Sequence, residues 1–323
     1  MGAVVQIAFV IVVAFAYAVA LRPHLRPRTR IGAVMSTCAA IGVLFCPVLI
    51  SHDQVIPRAL ALLVCTELMF KMLDYSREYR RRALPLTPAD YYRFLVPFPP
   101  FLVVLRDRHR YLATPVAQAP EILRAVLGAA LFTTGFLLVH LANGIPLVRS
   151  HFALDHAIKL VIFVVTIEAL SQMFYGIERI AGYDTTPPMK FAFLSRTVAE
   201  FWCRYNNRVH VWYERNVFRP LGGRRAPLRG VLLVFLVSGI HHELGFAIAT
   251  SRIDGYQFTF FLMQAPAVAC SRKLQHYSRR SGIRGKAMVY CLAVIWLYFT
   301  SMFFFHGVNR VFPFFYAGTP WLP

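Results

Sequence analysis

Two stretches of this chain carry side chains whose types and spacing suit proton or acyl chemistry. The first is LVFLVSGIHHELGF, residues 233–246, in which His241, His242 and Glu243 interrupt an apolar run. Ionisable groups at membrane depth are costly to bury and are functional candidates for that reason. Counting ~1.5 Å per residue from Leu228 places His242 ~20 Å along a helix. Ser238 and Gly239 then lie one turn before it and Gly245 and Phe246 one turn after, on its face. The small residues leave room for a reacting group beside the ring, where a neutral imidazole is a general base. Glu243 projects about 100° away from His242, so the two do not form a direct dyad. The plainer alternative is an interhelical hydrogen bond from a core histidine. It is the better reading for His241, and for His242 position alone leaves the two balanced.

The second stretch is FLSRTVAEFWCRYNNRVHVWYERNVFRPLGG, residues 193–223. Thr197 followed by Glu200 fits a capping box and predicts a helix start. Val198, Phe201, Trp202, Tyr205, Val209 and Trp212 recur at helical spacing and form one apolar face. Trp202, Asn206, His210 and Tyr213 make a stripe beside it, and Arg204, Arg208 and Arg215 a third. From periodicity alone this is an amphipathic helix at a membrane surface, its aromatics anchoring and its arginines meeting lipid phosphates. An Asn and a His on one stripe do not by themselves make a site.

The remaining buried charges take structural readings first. Glu67 with Lys71, and Asp155 with Lys159, are spaced to neutralise one another along a helix. Glu168 has no evident partner within four residues and is the candidate for pairing across helices. The six cysteines show no C-x-x-C and no metal-ligand spacing, read as small buried hydrophobes, and indicate neither a disulfide framework nor a metal site. No G-x-S-x-G elbow, P-loop or H-E-x-x-H occurs, so serine-hydrolase, nucleotidase and zinc-protease chemistries have no motif here.

Positioning these groups falls to a membrane bundle. Hydrophobic residues are 57% of the chain, charged residues only 15%, and mean hydropathy is +0.52. That is more apolar surface than a core of 323 residues can hide, and the excess must face lipid. Apolar runs at 3–21, 31–50, 59–73, 122–142, 154–175, 228–250 and 287–306, with a weaker one at 257–270, predict about eight spans of an all-α polytopic bundle. The first run lacks a basic leader and a cleavage site and is read as a span. Residues 94–105, broken by Pro97, Pro99 and Pro100, are too short to cross and suit a re-entrant or interfacial piece. No repeat or soluble-domain boundary is visible, so residues 1–323 read as one membrane domain. The formal charge of +20 would suggest nucleic acid in a soluble protein. Here the cations sit between apolar runs, where membrane lipids explain them and no nucleic acid is expected.

Together the two stretches resemble the membrane-bound O-acyltransferase superfamily, most closely its wax synthase and diacylglycerol or sterol acyltransferase branches. That family carries F-W-x-x-aromatic-N, then H-x-W, then an aromatic and Pro, matched here by Phe201, Trp202, Tyr205, Asn206, His210, Trp212, Phe218 and Pro220. A second motif ends in His-Glu within a span with Ser four residues before the His, matched by Ser238, His242 and Glu243. The close match covers residues 193–246. The resemblance implies His242 as catalytic base and Asn206 as its helper at the acyl carbonyl. Trp202, Tyr205, His210, Ser238, Arg204 and Arg208 are then candidates for the substrate site, the arginines toward the phosphates of CoA. It implies acyl-CoA as co-substrate, a lipid-like alcohol as acceptor, and neither cofactor nor metal. Tyr205 stands where triacylglycerol and sterol enzymes have Trp. Pro220 to Gly223 is similar to a bacterial branch that acylates cell-envelope polymers, although that branch has His in place of Asn206 and Gly after the intramembrane His. A lipid-type acceptor is therefore favoured, with a cell-envelope acceptor second. A proton-coupled transporter using His242, Glu243, Glu168 and Lys159 is the rival from another class.

Orientation follows from the loops. Arg22, Arg26, Arg28 and Arg30 follow the first span, the next connection offers only Arg58, and every second loop thereafter is again basic. The multi-pass chain, in a bacterial inner membrane or the endoplasmic reticulum, is then expected to hold both termini outside the cytoplasm and residues 176–227 inside it. Single cysteines at Arg26 and Arg208 should react with an impermeant thiol reagent from the cytoplasmic face; labelling of either from the outer face alone reverses the orientation.

Overall fold

The computed structural model describes residues 2–27, 29–82, 87–96, 119–182 and 186–316, and among them every regular element is helical. In chain order these are α1 (Ala3–Ala20), α2 (Arg30–Gly42), continued by a 3-10 stretch over Val43–Leu49, α3 (Val55–Arg82) and α4 (Pro88–Leu95). Then come α5 (Ala119–Gly144), α6 (Pro146–Ser150), α7 (Phe152–Ile180), α8 (Val198–Arg204), α9 (Asn207–Tyr213) and α10 (Arg219–Leu221). The last three are α11 (Pro227–Thr250), α12 (Tyr256–Arg280) and α13 (Gly282–Val311). A helix satisfies its own N–H and C=O groups, which hydrocarbon demands.

Six of these are long and apolar enough to cross a bilayer: α1, α2 with its extension, α5, α7, α11 and α13. The chain is an integral membrane protein. The other two expected spans fall in α3 and α12, which at 28 and 25 residues have the length but a more polar composition. α3 buries Glu67, Lys71, Asp74 and Glu78, and α12 ends in Arg279 and Arg280. Of the Pro-rich piece at 94–105, Phe94 and Leu95 close α4, and the part from Pro97 lies outside the described residues.

The chain divides into two compact units. The first comprises Met1–Thr114, Gly182–Thr185 and Leu244–Ile253. In it Tyr17 donates to the Ala39 carbonyl at 2.8 Å and Tyr91 to that of Ala18 at 2.9 Å, so phenol groups tie α2 and α4 to α1. The expected Glu67–Lys71 pair forms at 2.8 Å, and Lys71 also donates to the Val96 carbonyl at 2.9 Å, which pins the end of α4.

The second unit comprises Pro115–Ala181, Thr186–Glu243 and Asp254–Pro323. Its α5 and α7 approach closely because glycines face the partner backbone: a Cβ on Gly128 would stand 2.5 Å from the Met173 nitrogen, and one on Gly176 2.7 Å from the Glu121 carbonyl oxygen. The Asp155–Lys159 pair forms as spaced, at 2.6 Å. Glu168 corrects its expectation. It does have a partner within four residues, Gln172, one turn on, at 3.1 Å, and its other oxygen accepts from the main-chain N–H of Phe191 at 3.1 Å rather than from a group on another long helix. The cysteines are free, but Cys38, Cys203, Cys270 and Cys291 are exposed rather than buried; on an apolar exterior a thiol faces lipid at little cost. Since added volume at a backbone contact costs roughly 1–3 kcal/mol, Gly128→Val should lower the melting temperature in detergent, while Gly144→Val, with open space around it, should cost only intrinsic helix propensity.

Candidate active site

The second unit contains both chemical stretches as far as Glu243. The first departs from expectation in one decisive way: the amphipathic helix is not continuous. Thr197 caps α8 as predicted, its hydroxyl accepting from Glu200 N at 3.2 Å while the Glu200 carboxylate accepts from Arg196 N at 2.9 Å. The helix then stops at Arg204, and Asn206 adopts a left-handed conformation (φ 46°) before α9 begins. Asn tolerates that region better than most residues. Its side-chain oxygen caps α9 by accepting from Val209 N at 3.4 Å, which leaves the amide nitrogen to donate elsewhere. Periodicity cannot see this break, because residues on either side keep their spacing.

A break exposes backbone groups, and those near a bilayer need partners. The loop of residues 186–190 supplies them. Pro188 O accepts from Asn207 N at 2.6 Å, Lys190 N donates to Arg204 O at 3.1 Å, and the Met189 sulfur lies 3.0 Å from Asn206 N. The loop is itself fixed where Met189 N donates to Ser171 Oγ at 2.9 Å. After α9 the chain passes through a π-helical turn over Glu214–Phe218, a form that concentrates at functional sites.

The arginine stripe divides by environment. Arg204 pairs with Glu200 at 2.6 Å and is partly exposed. Arg208 is buried, its guanidinium forked onto both carboxylate oxygens of Glu178 and its Nε donating to Thr186 O at 2.8 Å. Arg215 is also buried. Arg208 is thus a poor site for a label, and the exposed Arg224, also within residues 176–227, replaces it.

In α11, His242 Nδ1 lies 2.9 Å from the Ser238 carbonyl oxygen. A carbonyl only accepts, so Nδ1 holds a proton, and in the neutral ring Nε2 then presents a lone pair. The ring packs on Phe261 of α12 with centroids 4.0 Å apart, and Phe261 in turn meets Trp202 at 5.6 Å. Trp202 also contacts Phe235, Phe260 and Tyr205. The Ser238 hydroxyl bonds Tyr213 of α9. Trp202, Tyr205, Ser238 and His242 therefore belong to one connected set, with Asn206 adjacent to Tyr205 and His210 N donating to Asn206 O at 3.0 Å. The room expected beside Gly239 is taken: a Cβ there would stand 3.2 Å from Phe258, so this glycine serves close helix approach. Burial holds His210 below its ordinary pKa, with Lys190 adding to the effect and Glu214 opposing it, and pushes the Tyr205 phenol up to about 12.

Tyr213, Phe261 and Glu178 went unassigned in the sequence. Tyr213 was on the right stripe but had no visible partner, and the other two are remote in sequence from the residues they meet.

A model of the membrane-bound O-acyltransferase family matches residues 121–306, more than half of the chain. Similar proteins include diacylglycerol O-acyltransferase 1C of Glycine max, 27% identical over 36% of this chain and 23% of its own length. A probable long-chain-alcohol O-fatty-acyltransferase 2 of Arabidopsis thaliana is 28% identical over 55% of this chain and 56% of its own. A probable alginate O-acetylase of Pseudomonas syringae pv. tomato is 24% identical over 72% of this chain and 48% of its own. The chain thus spans about a quarter to just over half the length of these relatives.

Removing one partner of a buried ion pair leaves an uncompensated charge and costs about 3–5 kcal/mol. Glu178→Ala should therefore lower thermal stability sharply, and Glu178→Ala with Arg208→Met should recover much of the loss. Equal melting temperatures for the single and double variants would show the pair to be uncoupled.

Proposed function

The chain belongs to the membrane-bound O-acyltransferase family, and from that premise we propose that it is an acyl-CoA-dependent O-acyltransferase esterifying the hydroxyl of a lipid-like alcohol within the membrane. The observation that carries this reading is the 2.9 Å contact of His242 Nδ1 with the Ser238 carbonyl oxygen, which commits Nδ1 as a donor and leaves Nε2 as the nitrogen free to act as a base. His242 Nε2 removes the acceptor's hydroxyl proton as the oxygen attacks the thioester carbonyl, a general-base contribution on the order of 10²–10⁴ in rate. The amide nitrogen of Asn206 donates to the developing oxyanion. Collapse of the tetrahedral intermediate breaks the C–S bond and forms the ester, and the imidazolium returns its proton to the departing CoA thiolate. Trp202 and Tyr205 wall the site, and Ser238 holds the ring through its carbonyl.

The acceptor class rests on the match of Asn206 and of His242 with Glu243 to the lipid branches, and on the Arabidopsis relative named for a long-chain alcohol. The alginate O-acetylase relative, which covers more of the chain, supports a second reading in which the same chemistry serves a cell-envelope hydroxyl. A transporter is disfavoured because the charges a relay would use are occupied: Lys159 by Asp155, Glu168 by Gln172 and Phe191, and Glu243 by backbone N–H groups. Acyl-CoA meets the site from the cytoplasmic side and the alcohol through the bilayer, with both termini outside the cytoplasm.

Purified protein in detergent, given labelled acyl-CoA and long-chain alcohols, should release free thiol and form ester. His242→Ala should abolish this, and His241→Ala should keep most of it. Asn206→Ala should lose about 10²–10³ in turnover, as removal of one oxyanion donor does. An inactive His241→Ala beside an active His242→Ala would put the chemistry on the wrong ring.

A further inference from the structure

Glu243 follows His242 in the sequence, yet its carboxylate faces a different element. Oε1 accepts from the main-chain N–H groups of Asp254 at 3.0 Å and Gly255 at 2.8 Å, and Oε2 accepts from those of Gln257 and Phe258, each at 3.1 Å. An ionised carboxylate offers about four acceptor sites, and these four donors take them. None remains for the imidazole, whose Nδ1 is already bonded to Ser238. Three of these donors, on Gly255, Gln257 and Phe258, are groups a helix leaves unpaired at its start, where negative charge is favoured. The N-cap, Gly255, is left-handed at φ 78° and has no side chain, and Asp254 Oδ1 accepts only from Tyr256 N, at 3.3 Å, so Glu243 supplies the acceptors for the other N–H groups. Phe261, the ring against His242, lies one turn beyond the last of these N–H groups.

We propose that Glu243 is a positioning residue for the reaction: by capping α12 it sets the register of that helix against α11 and holds Phe261 on the His242 ring, so that Nε2 keeps its aim. The role rests on the acyltransferase reading above, and it assigns Glu243 neither proton transfer nor contact with substrate.

Glu243→Gln is the probing variant, since it keeps the size but replaces one acceptor oxygen with an NH2 group facing N–H donors. Hydrogen exchange of residues 254–258 should quicken, and the His242 ring resonances, assigned by their loss in His242→Ala and displaced by the Phe261 ring current, should move. Turnover per folded protein should fall roughly ten- to a hundredfold, the cost of misplacing a catalytic group. The KM for acyl-CoA and the limbs of the pH–rate profile should stay in place. Adding Gly255→Asn supplies a local cap, as Asn206 caps α9 from the same left-handed region, and should restore exchange protection, ring resonances and turnover together. Unchanged exchange or unmoved resonances in Glu243→Gln would overturn the proposal. So would a displaced pH profile, which marks a proton partner, or a lower melting temperature with turnover per folded protein intact, which marks a merely structural cap. Should the wild type transfer no acyl group, the function assigned above fails, while the exchange and resonance measurements still decide whether Glu243 positions the ring.

Discussion

A neutral histidine has one proton for two ring nitrogens, and the nitrogen that keeps it is fixed by what it can reach. In this protein Nδ1 reaches the carbonyl of Ser238, one turn back on the same helix. That carbonyl already belongs to the helix ladder, so the extra hydrogen bond needs no further group to be brought into the membrane. The consequence is a lone pair on Nε2. Several groups converge on that ring: Phe261 lies against it, Tyr213 bonds the hydroxyl of Ser238, and the start of the helix that carries Phe261 donates to Glu243.

The other half of the site is built on a defect. Interrupting a helix between Arg204 and Asn207 costs hydrogen bonds, and the loop of residues 186–190 returns them with its own main-chain groups and a thioether. That loop is drawn in by the forked Arg208–Glu178 pair and by Thr186 O on Arg208. A buried ion pair adds little net stability over apolar packing, but it tolerates few alternative arrangements. Here it joins α9, two residues past Asn206, to α7 and to the loop that supports the break.

Charges within the long helices have been absorbed in two ways. Asp155 with Lys159 and Glu67 with Lys71 are pairs within one helix, which need no tertiary partner to be neutralised. Glu168 and Glu243 instead accept backbone N–H groups at a loop and at a helix start. Carboxylates used in this way substitute for water at backbone that hydrocarbon would otherwise strand, which is why they sit where regular structure begins or ends.

Legible in the sequence were the helical class, the membrane setting, the helix cap at Thr197 and the local ion pairs. These follow from short-range rules: apolar run length, the period of a helix, and contacts within four residues. It also excluded a His242–Glu243 dyad, because adjacent side chains on a helix diverge. What it could not contain was the break at Asn206, since a left-handed residue leaves periodicity untouched when its support comes from a loop about twenty residues earlier. The same limit hid Glu178 as the partner of Arg208, Phe261 as the ring against His242, and the N–H groups that occupy Glu243. Each of those contacts joins residues far apart in the chain, and only the packing of helices decided which would meet.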